Sequence, residues 1–293
     1  MHFLKNISHI LYHILVVVLS AAVALSLPFT VRLIAKKFLG YWALIENEKI
    51  FLVSIEIASA VLLILLFNSI MRNLRARKLS KLAKEAGLCG LGRANRLMDR
   101  ARLRKLKEKN GFTRNIMMIG STGLSTFTDP AGDLHQVLRN CRDARIMLLD
   151  PLGEGALCRS KSIQVPDITV ESFREQIGKS IDFLKSLKAA QKDVRLKLYR
   201  DVPLLKLAIL GDYVFLRHYH QGLDVQHMPE YVFRHERNPG SLYNLFYQYF
   251  LDRWHDPELP EYELETDELI YRDTAGNEVR RERFEMLEGA KVS

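Results

Sequence analysis

The side chains with the most chemical reach sit in two short stretches. His218 and His220 alternate along residues 213–219, a run that reads as a strand. Residues two apart on a strand share a face, so both imidazoles would be offered together. Such a pair can supply a base or nucleophile near neutral pH, although half-exposed strand histidines are commonly just that. No third ligand is spaced to join them, so no metal site is expected. In the second stretch, Ser121 and Thr122 lie between Gly120 and Gly123, directly after an apolar run. Their hydroxyls and the glycine-loosened backbone N–H groups suit a phosphate. The end of a strand is also where open α/β sheets tend to hold ligands. An ordinary strand-to-loop turn has the same composition. The three cysteines, Cys89, Cys141 and Cys158, show no CxxC or Cys/His ligand spacing. An odd, scattered set suits a reducing compartment rather than a disulfide framework. No cofactor is called for.

The elements that must position these groups begin at Gly111, where short strands and helices alternate. Residues 115–120 and 144–150 are apolar runs of strand length, the second stopped by Pro151. Residues 133–142 read as a helix. Residues 171–191 form a long amphipathic helix with Phe173, Ile177, Ile181, Leu184 and Leu187 on one face. Residues 194–199 alternate as a strand. Residues 203–210 and 213–219 make a hairpin around Gly211 and Asp212. Residues 241–254 read as a helix with Tyr243, Phe246, Tyr247, Phe250 and Trp254 mostly turned to the core. In the tail, two strand-like runs flank Asp273-Thr274-Ala275-Gly276-Asn277, a turn composition, and predict a terminal β-hairpin. The order is that of an α/β sandwich, helices covering a sheet.

The N-terminal region has a different solvent. Residues 6–31 carry no formal charge, and residues 50–71 carry one, Glu56. A helix needs roughly 20 apolar residues to cross the hydrocarbon core, and both runs qualify. Two transmembrane helices are therefore expected. The first run also admits a cleaved signal peptide, with a small-residue site near Ala22 and Ala24. Glu56 is either a functional acid or one placed near enough to the surface to reach water. Arg72, Arg75, Arg77, Lys78, Lys81 and Lys84 follow the second run and favour a cytosolic C-terminal region. The expected location is the inner (cytoplasmic) membrane of a bacterial cell, multi-pass.

Residues 72–109 hold fourteen Lys or Arg against Glu85, Asp99 and Glu108, so this stretch alone accounts for the formal net charge of +9. It predicts two short basic helices separated by a hinge at Gly87, Gly90 and Gly92. Clustered cations beside a membrane helix attract anionic lipid headgroups. The same charges would neutralise nucleic-acid phosphates, but the absence of aromatic residues weakens a single-strand stacking role. The expected organisation is a transmembrane hairpin over residues 1–71, a basic connector over 72–110, an α/β domain over 111–256 and a hairpin extension over 257–293.

The order of elements, with Leu148-Leu149-Asp150-Pro151 closing the second strand, resembles the phospholipase D-like family over roughly residues 111–256. Active members carry His-x-Lys-x4-Asp. The resemblance implies that His attacks phosphorus, Lys holds the phosphoryl oxygens and Asp orients a partner His. Here the local match is Leu204-Leu205-Lys206, followed after five residues by Asp212. Lys206 takes the place of the motif Lys, Leu204 stands where His belongs, and Asp212 is one position late. Without an activated nucleophile, covalent phosphoryl transfer loses its first step.

The resemblance thus implies a phospholipase D-like domain without efficient catalysis. Its ligand-binding candidates are Lys206, Asp212, Ser121 and Thr122, with His218 and His220 as substitute nucleophiles. The function expected is a membrane-anchored sensor or effector that binds a phosphate-containing ligand: a nucleotide, a lipid headgroup or a nucleic acid. An active phosphodiesterase and a protein-interaction scaffold are the alternatives. Family members pair domains about a two-fold axis, implying a homodimer or higher homo-oligomer.

Overall fold

A computed structural model describes residues 32, 34–38, 49–93, 96–111, 115–163, 168–238 and 240–284. The chain divides into two compact units, Met1–Ala76 and Arg77–Ser293. Helix α1, Lys49–Glu85, holds no Gly or Pro and runs unbroken from an apolar half into a basic half. Leu62, Ile64, Leu65 and Phe67 all stand exposed along it. From Val53 to Glu85 it is long and apolar enough to cross a membrane, the one such helix among the described residues. At 1.5 Å per residue this stretch reaches about 50 Å. The other expected span, residues 6–31, lies outside the described residues.

Gly87 ends α1 with a φ of 76°, the left-handed conformation that glycine adopts without a Cβ penalty. The next residues depart from the expected hinge. Leu88–Gly92 is strand β1, paired antiparallel with β7 (Glu230–Arg234) at the edge of the sheet. A glycine-rich segment reads as a breaker, but here an adjacent strand edge satisfies its backbone groups. The second basic helix does form, as α2 over Leu97–Gly111, with Lys107 buried.

Among the described residues the sheet has ten strands, in the order β1, β7, β6 (Tyr213–His218), β5 (Leu205–Leu210), β2 (Asn115–Ile119), β3 (Asp143–Leu149), β4 (Asp193–Tyr199), β8 (Glu261–Glu263), β9 (Glu268–Arg272) and β10 (Glu278–Arg283). At its centre β2, β3 and β4 run parallel. Their continuous apolar composition, Ile116 to Ile119 and Ile146 to Leu149 all buried, is what a strand covered on both faces requires. β5 and β6 form the hairpin turned at Gly211 and Asp212. On the other side β8 joins β9 and β10, the terminal hairpin.

Helices cover the sheet between these strands. After α3 (His135–Asn140) and α4 (Glu154–Ser162) comes α5, Val170–Ala189. Its start is fixed by a reciprocal cap in which Thr169 accepts from the Ser172 N–H and Ser172 accepts from the Thr169 N–H. Phe173, Ile177, Ile181, Leu184 and Leu187 recur at helical spacing and are all buried. Helix α6, Leu242–Trp254, stacks Phe250 on Trp254 at 5.9 Å. Its Phe246 meets Phe233 of β7 at 5.5 Å. The opposite face of the sheet carries Phe215 of β6, and there Lys107 of α2 lies 5.0 Å above the ring. The result is a mixed α/β sandwich.

Candidate functional site

Register decides which charges meet. Lys206 of β5 pairs directly with Arg217 of β6, and cross-strand partners point to the same face. On β7, Glu230 continues that row, its carboxylate 3.4 Å from Arg217. All three are on the Phe215 side, under α2. Lys107 descends from α2 into the row, bonding Asp133 and, at 2.7 Å, Glu230. Burial alone would lower the Lys107 pKa. The two carboxylates outweigh it and hold the lysine charged, above its ordinary value. Burial would likewise raise Asp133, but Lys107 and then Lys206 keep its carboxyl well below the usual carboxylate range.

Lys206 has no such support. It is 6% exposed, and its Nζ has no hydrogen-bond partner among the described residues. Burial pulls its pKa down to about 8, and the Asp133 carboxylate restores only part of the loss. Counting Lys107, Lys206 and Arg217 against Asp133 and Glu230, the cluster keeps one positive charge in excess when Lys206 is protonated. An unpaired buried cation is costly, and an anion would remove that cost.

Lys206 lines a 170 Å³ cavity, well beyond the roughly 10–15 Å³ that one water needs. Ser121, Thr122, Arg159 and Tyr219 line it too. The loop carrying Ser121 and Thr122 leaves the carboxyl end of β2 and is held on three sides. Gly120 N–H donates to Met147 at 3.0 Å. Tyr199 donates to the Gly120 carbonyl at 2.9 Å, and Ser121 N–H donates to the Tyr219 hydroxyl at 2.8 Å. At Gly123, φ is 80°, and a Cβ there would lie 2.5 Å from the Phe127 ring. Only glycine fits that turn. Arg159 of α4 reaches across to the carbonyls of His220 and Leu223, at 2.7 and 2.9 Å, and lies 4.9 Å from the centre of the Tyr219 ring. Its Nε has no hydrogen-bond partner among the described residues. The cavity wall thus holds two buried cations, the hydroxyl-bearing Ser121, Thr122, Ser125 and Thr126, and one acid, Asp224, whose carboxylate accepts from Gln226 N–H at 3.0 Å.

Of the candidates read from sequence, Ser121, Thr122 and Lys206 come together here. Asp212 does not. It sits in the hairpin turn, its carbonyl accepting from His235 N–H at 2.8 Å. Four further residues of β5 separate it from Lys206, about 13 Å along the strand. Leu204, at the motif histidine position, is 62% exposed.

The histidines are also elsewhere. β6 ends at His218, so His220 lies beyond the ladder rather than on a shared strand face. His218 pairs with Leu205, next to Lys206 in sequence, and therefore points to the opposite face. Both rings turn back to local carbonyls, His218 to Tyr219 at 2.9 Å and His220 to Gln221. Asp150 serves the fold, accepting from Leu152 N–H and Arg200, each at 2.9 Å. Among the described residues no group of three or more His, Cys, Asp or Glu is placed to hold a metal.

Sequence reasoning missed Lys107, Asp133, Arg159, Arg217 and Glu230. One local signal existed for Lys107, four residues after Leu103 and so on the same side of α2. Arg217 likewise alternates with Phe215 on its strand. Nothing local shows that these groups converge.

No family model matches the chain, and no curated protein matches it. Among solved structures it is similar to TrmBL2, an archaeal chromatin protein described as showing a novel mode of DNA binding. Identity there is 14% and the TM-score 0.33, over 68% of this chain and 66% of that one. It is similar as well to Nuc from Salmonella typhimurium, a phospholipase D family member, at 15% identity and TM-score 0.32, over 55% of this chain and 90% of that one. Phosphatidylserine synthase from Haemophilus influenzae Rd KW20 gives 12% and 0.34, over 51% and 35%. Likenesses of this size leave the chemistry of the cavity to its own residues.

Proposed function

We propose that this chain is a membrane-anchored binding module whose α/β domain takes up a phosphorylated ligand and does not turn it over efficiently. The observation that carries this reading is the Lys206 ammonium, buried, without a hydrogen-bond partner among the described residues and lining a cavity with a mixed polar and apolar wall. A phosphoryl group supplies what that site lacks: negative charge and several acceptor oxygens. Thr122 and Ser121 hydroxyls complete a donor set, and the second cation, Arg159, stands in the same wall. The long apolar helix α1 is the anchor.

Binding is favoured over catalysis for a specific reason. Among the described residues no histidine lines the cavity, and Leu204 occupies the nucleophile position of the motif it resembles. The Tyr219 hydroxyl already accepts from Ser121, and burial raises its pKa, which keeps it neutral. A phosphodiesterase would need a nucleophile from outside these residues.

The test is calorimetric titration of the full chain in nanodiscs, with inorganic phosphate, nucleotides, short oligonucleotides and phosphorylated headgroups. Binding of at least one phosphate compound, lost in Lys206→Met, is expected. Because Lys206 loses its proton near pH 8, that affinity should fall as pH rises through 8. Silence across the whole panel for the unmodified chain would end this reading.

A further inference from the structure

Beside the Lys206 cavity lies a larger one of 510 Å³. Four of its lining residues are arginines: Arg93, Arg100, Arg104 and Arg217. Its two acids, Asp133 and Glu230, are already held by Lys107. Arg104 is paired with Glu108 at 2.9 Å, whereas the Arg93 and Arg100 guanidinium groups have no carboxylate partner among the described residues. The outer cavity is therefore a basic chamber whose own carboxylates are spent. Arg217 Nε, at its inner wall, is buried without a hydrogen-bond partner among the described residues.

The two cavities share Ser125. Gln226 donates to the Ser125 hydroxyl at 2.7 Å and accepts from Arg217 at 2.9 Å. The former bond is exposed and joins two uncharged side chains, a weak partition. Lys206 and Arg217, one on each side of it, are direct cross-strand partners. Their Cβ atoms are thus about 5 Å apart, a spacing within reach of neighbouring phosphoryl groups.

We infer that the ligand carries at least two linked phosphates, one at Lys206 in the inner cavity and the next in the arginine chamber, with the Gln226–Ser125 bond opening to admit it. This rests on the inner cavity binding phosphate, and the experiment separates the two claims. Titrate the full chain in phosphatidylcholine nanodiscs with inorganic phosphate and with pyrophosphate. Pyrophosphate should bind at least about tenfold more tightly, the worth of one further charged contact. In the double variant Arg100→Gln, Arg104→Gln the ratio should fall towards one.

If neither inorganic phosphate nor pyrophosphate binds, this inference is overturned, and the inner site is overturned with it when the nucleotides, oligonucleotides and headgroups are silent too. Phosphate binding with an equal affinity for pyrophosphate, or a ratio unmoved by the double variant, would overturn the two-phosphate inference alone. A nucleoside diphosphate in solution and a prenyl diphosphate in the bilayer are the two sources of such a group. At least one should bind as tightly as pyrophosphate, and the tighter one names the source. Weaker binding of both would overturn the ligand class.

Discussion

Two lysines lie buried on the same face of the sheet, and they differ in their company. Lys107 is enclosed by Asp133 and Glu230 and sits over the Phe215 ring. Lys206, one strand away, has no hydrogen-bond partner for its Nζ among the described residues. The first is the kind of charge a fold can bury, because its partners repay part of the desolvation. The second is a charge the fold tolerates only where something else is gained. On the proposed reading, the contrast separates a structural cation from a ligand-binding one, although both arise from ordinary lysines.

That comparison can be broken from its structural side first. Lys107→Met leaves Asp133 and Glu230 with Arg217 as their remaining ion-pair partner among the described residues, while Lys206 acts on Asp133 without a hydrogen bond. Loss of one member of a buried ion pair costs about 3–5 kcal/mol, so unfolding of the full chain should show a loss of that order. A loss below about 1 kcal/mol would mean the cluster is solvated and the comparison false.

The functional side predicts a pH effect. The Lys206 pKa falls from 10.5 to about 8 on folding. Between those values the unfolded chain binds more protons than the folded one, so stability rises with pH across that window. The full shift corresponds to about 3 kcal/mol. Lys206→Met should flatten the rise. A wild-type stability that stays level from pH 8 to 10.5 would show that the ammonium is not desolvated.

Smaller effects sharpen the picture. Thr169→Ala removes one half of the α5 cap and should cost about 1 kcal/mol without touching phosphate affinity, since Thr169 is not in the cavity wall. The double variant His218→Ala, His220→Ala should shift stability by no more than about 0.5 kcal/mol and leave phosphate affinity unchanged. Lost binding in that double variant would return the histidines to the site.

The contrast between the lysines also marks what sequence can convey. The stripe from Phe173 to Leu187, the buried strands at 115–120 and 144–150 and the hairpin at Gly211 were all legible, because each depends on local periodicity. Ser121 and Thr122 were legible from their place after a strand. Lys206 was reached through a motif resemblance, and the same motif misled at Asp212, which a strand rising 3.3 Å per residue carries away from the lysine. The expected hinge failed for another reason. Gly87, Gly90 and Gly92 read as breakers, yet β7 offered a free edge that turned Leu88–Gly92 into a strand. The buried cluster was illegible because α2, β5, β6 and β7 each contribute one charge, and only the register brings them together.

The most direct test of the central claim is the unfolding midpoint of the full chain and of Lys206→Met, each with and without saturating inorganic phosphate at pH 7. If Lys206 is a buried cation awaiting an anion, the variant will be at least as stable as the parent without phosphate. Phosphate will then raise the midpoint of the parent alone. A variant that is destabilised as severely as Lys107→Met, or that gains as much from phosphate as the parent, would contradict the account.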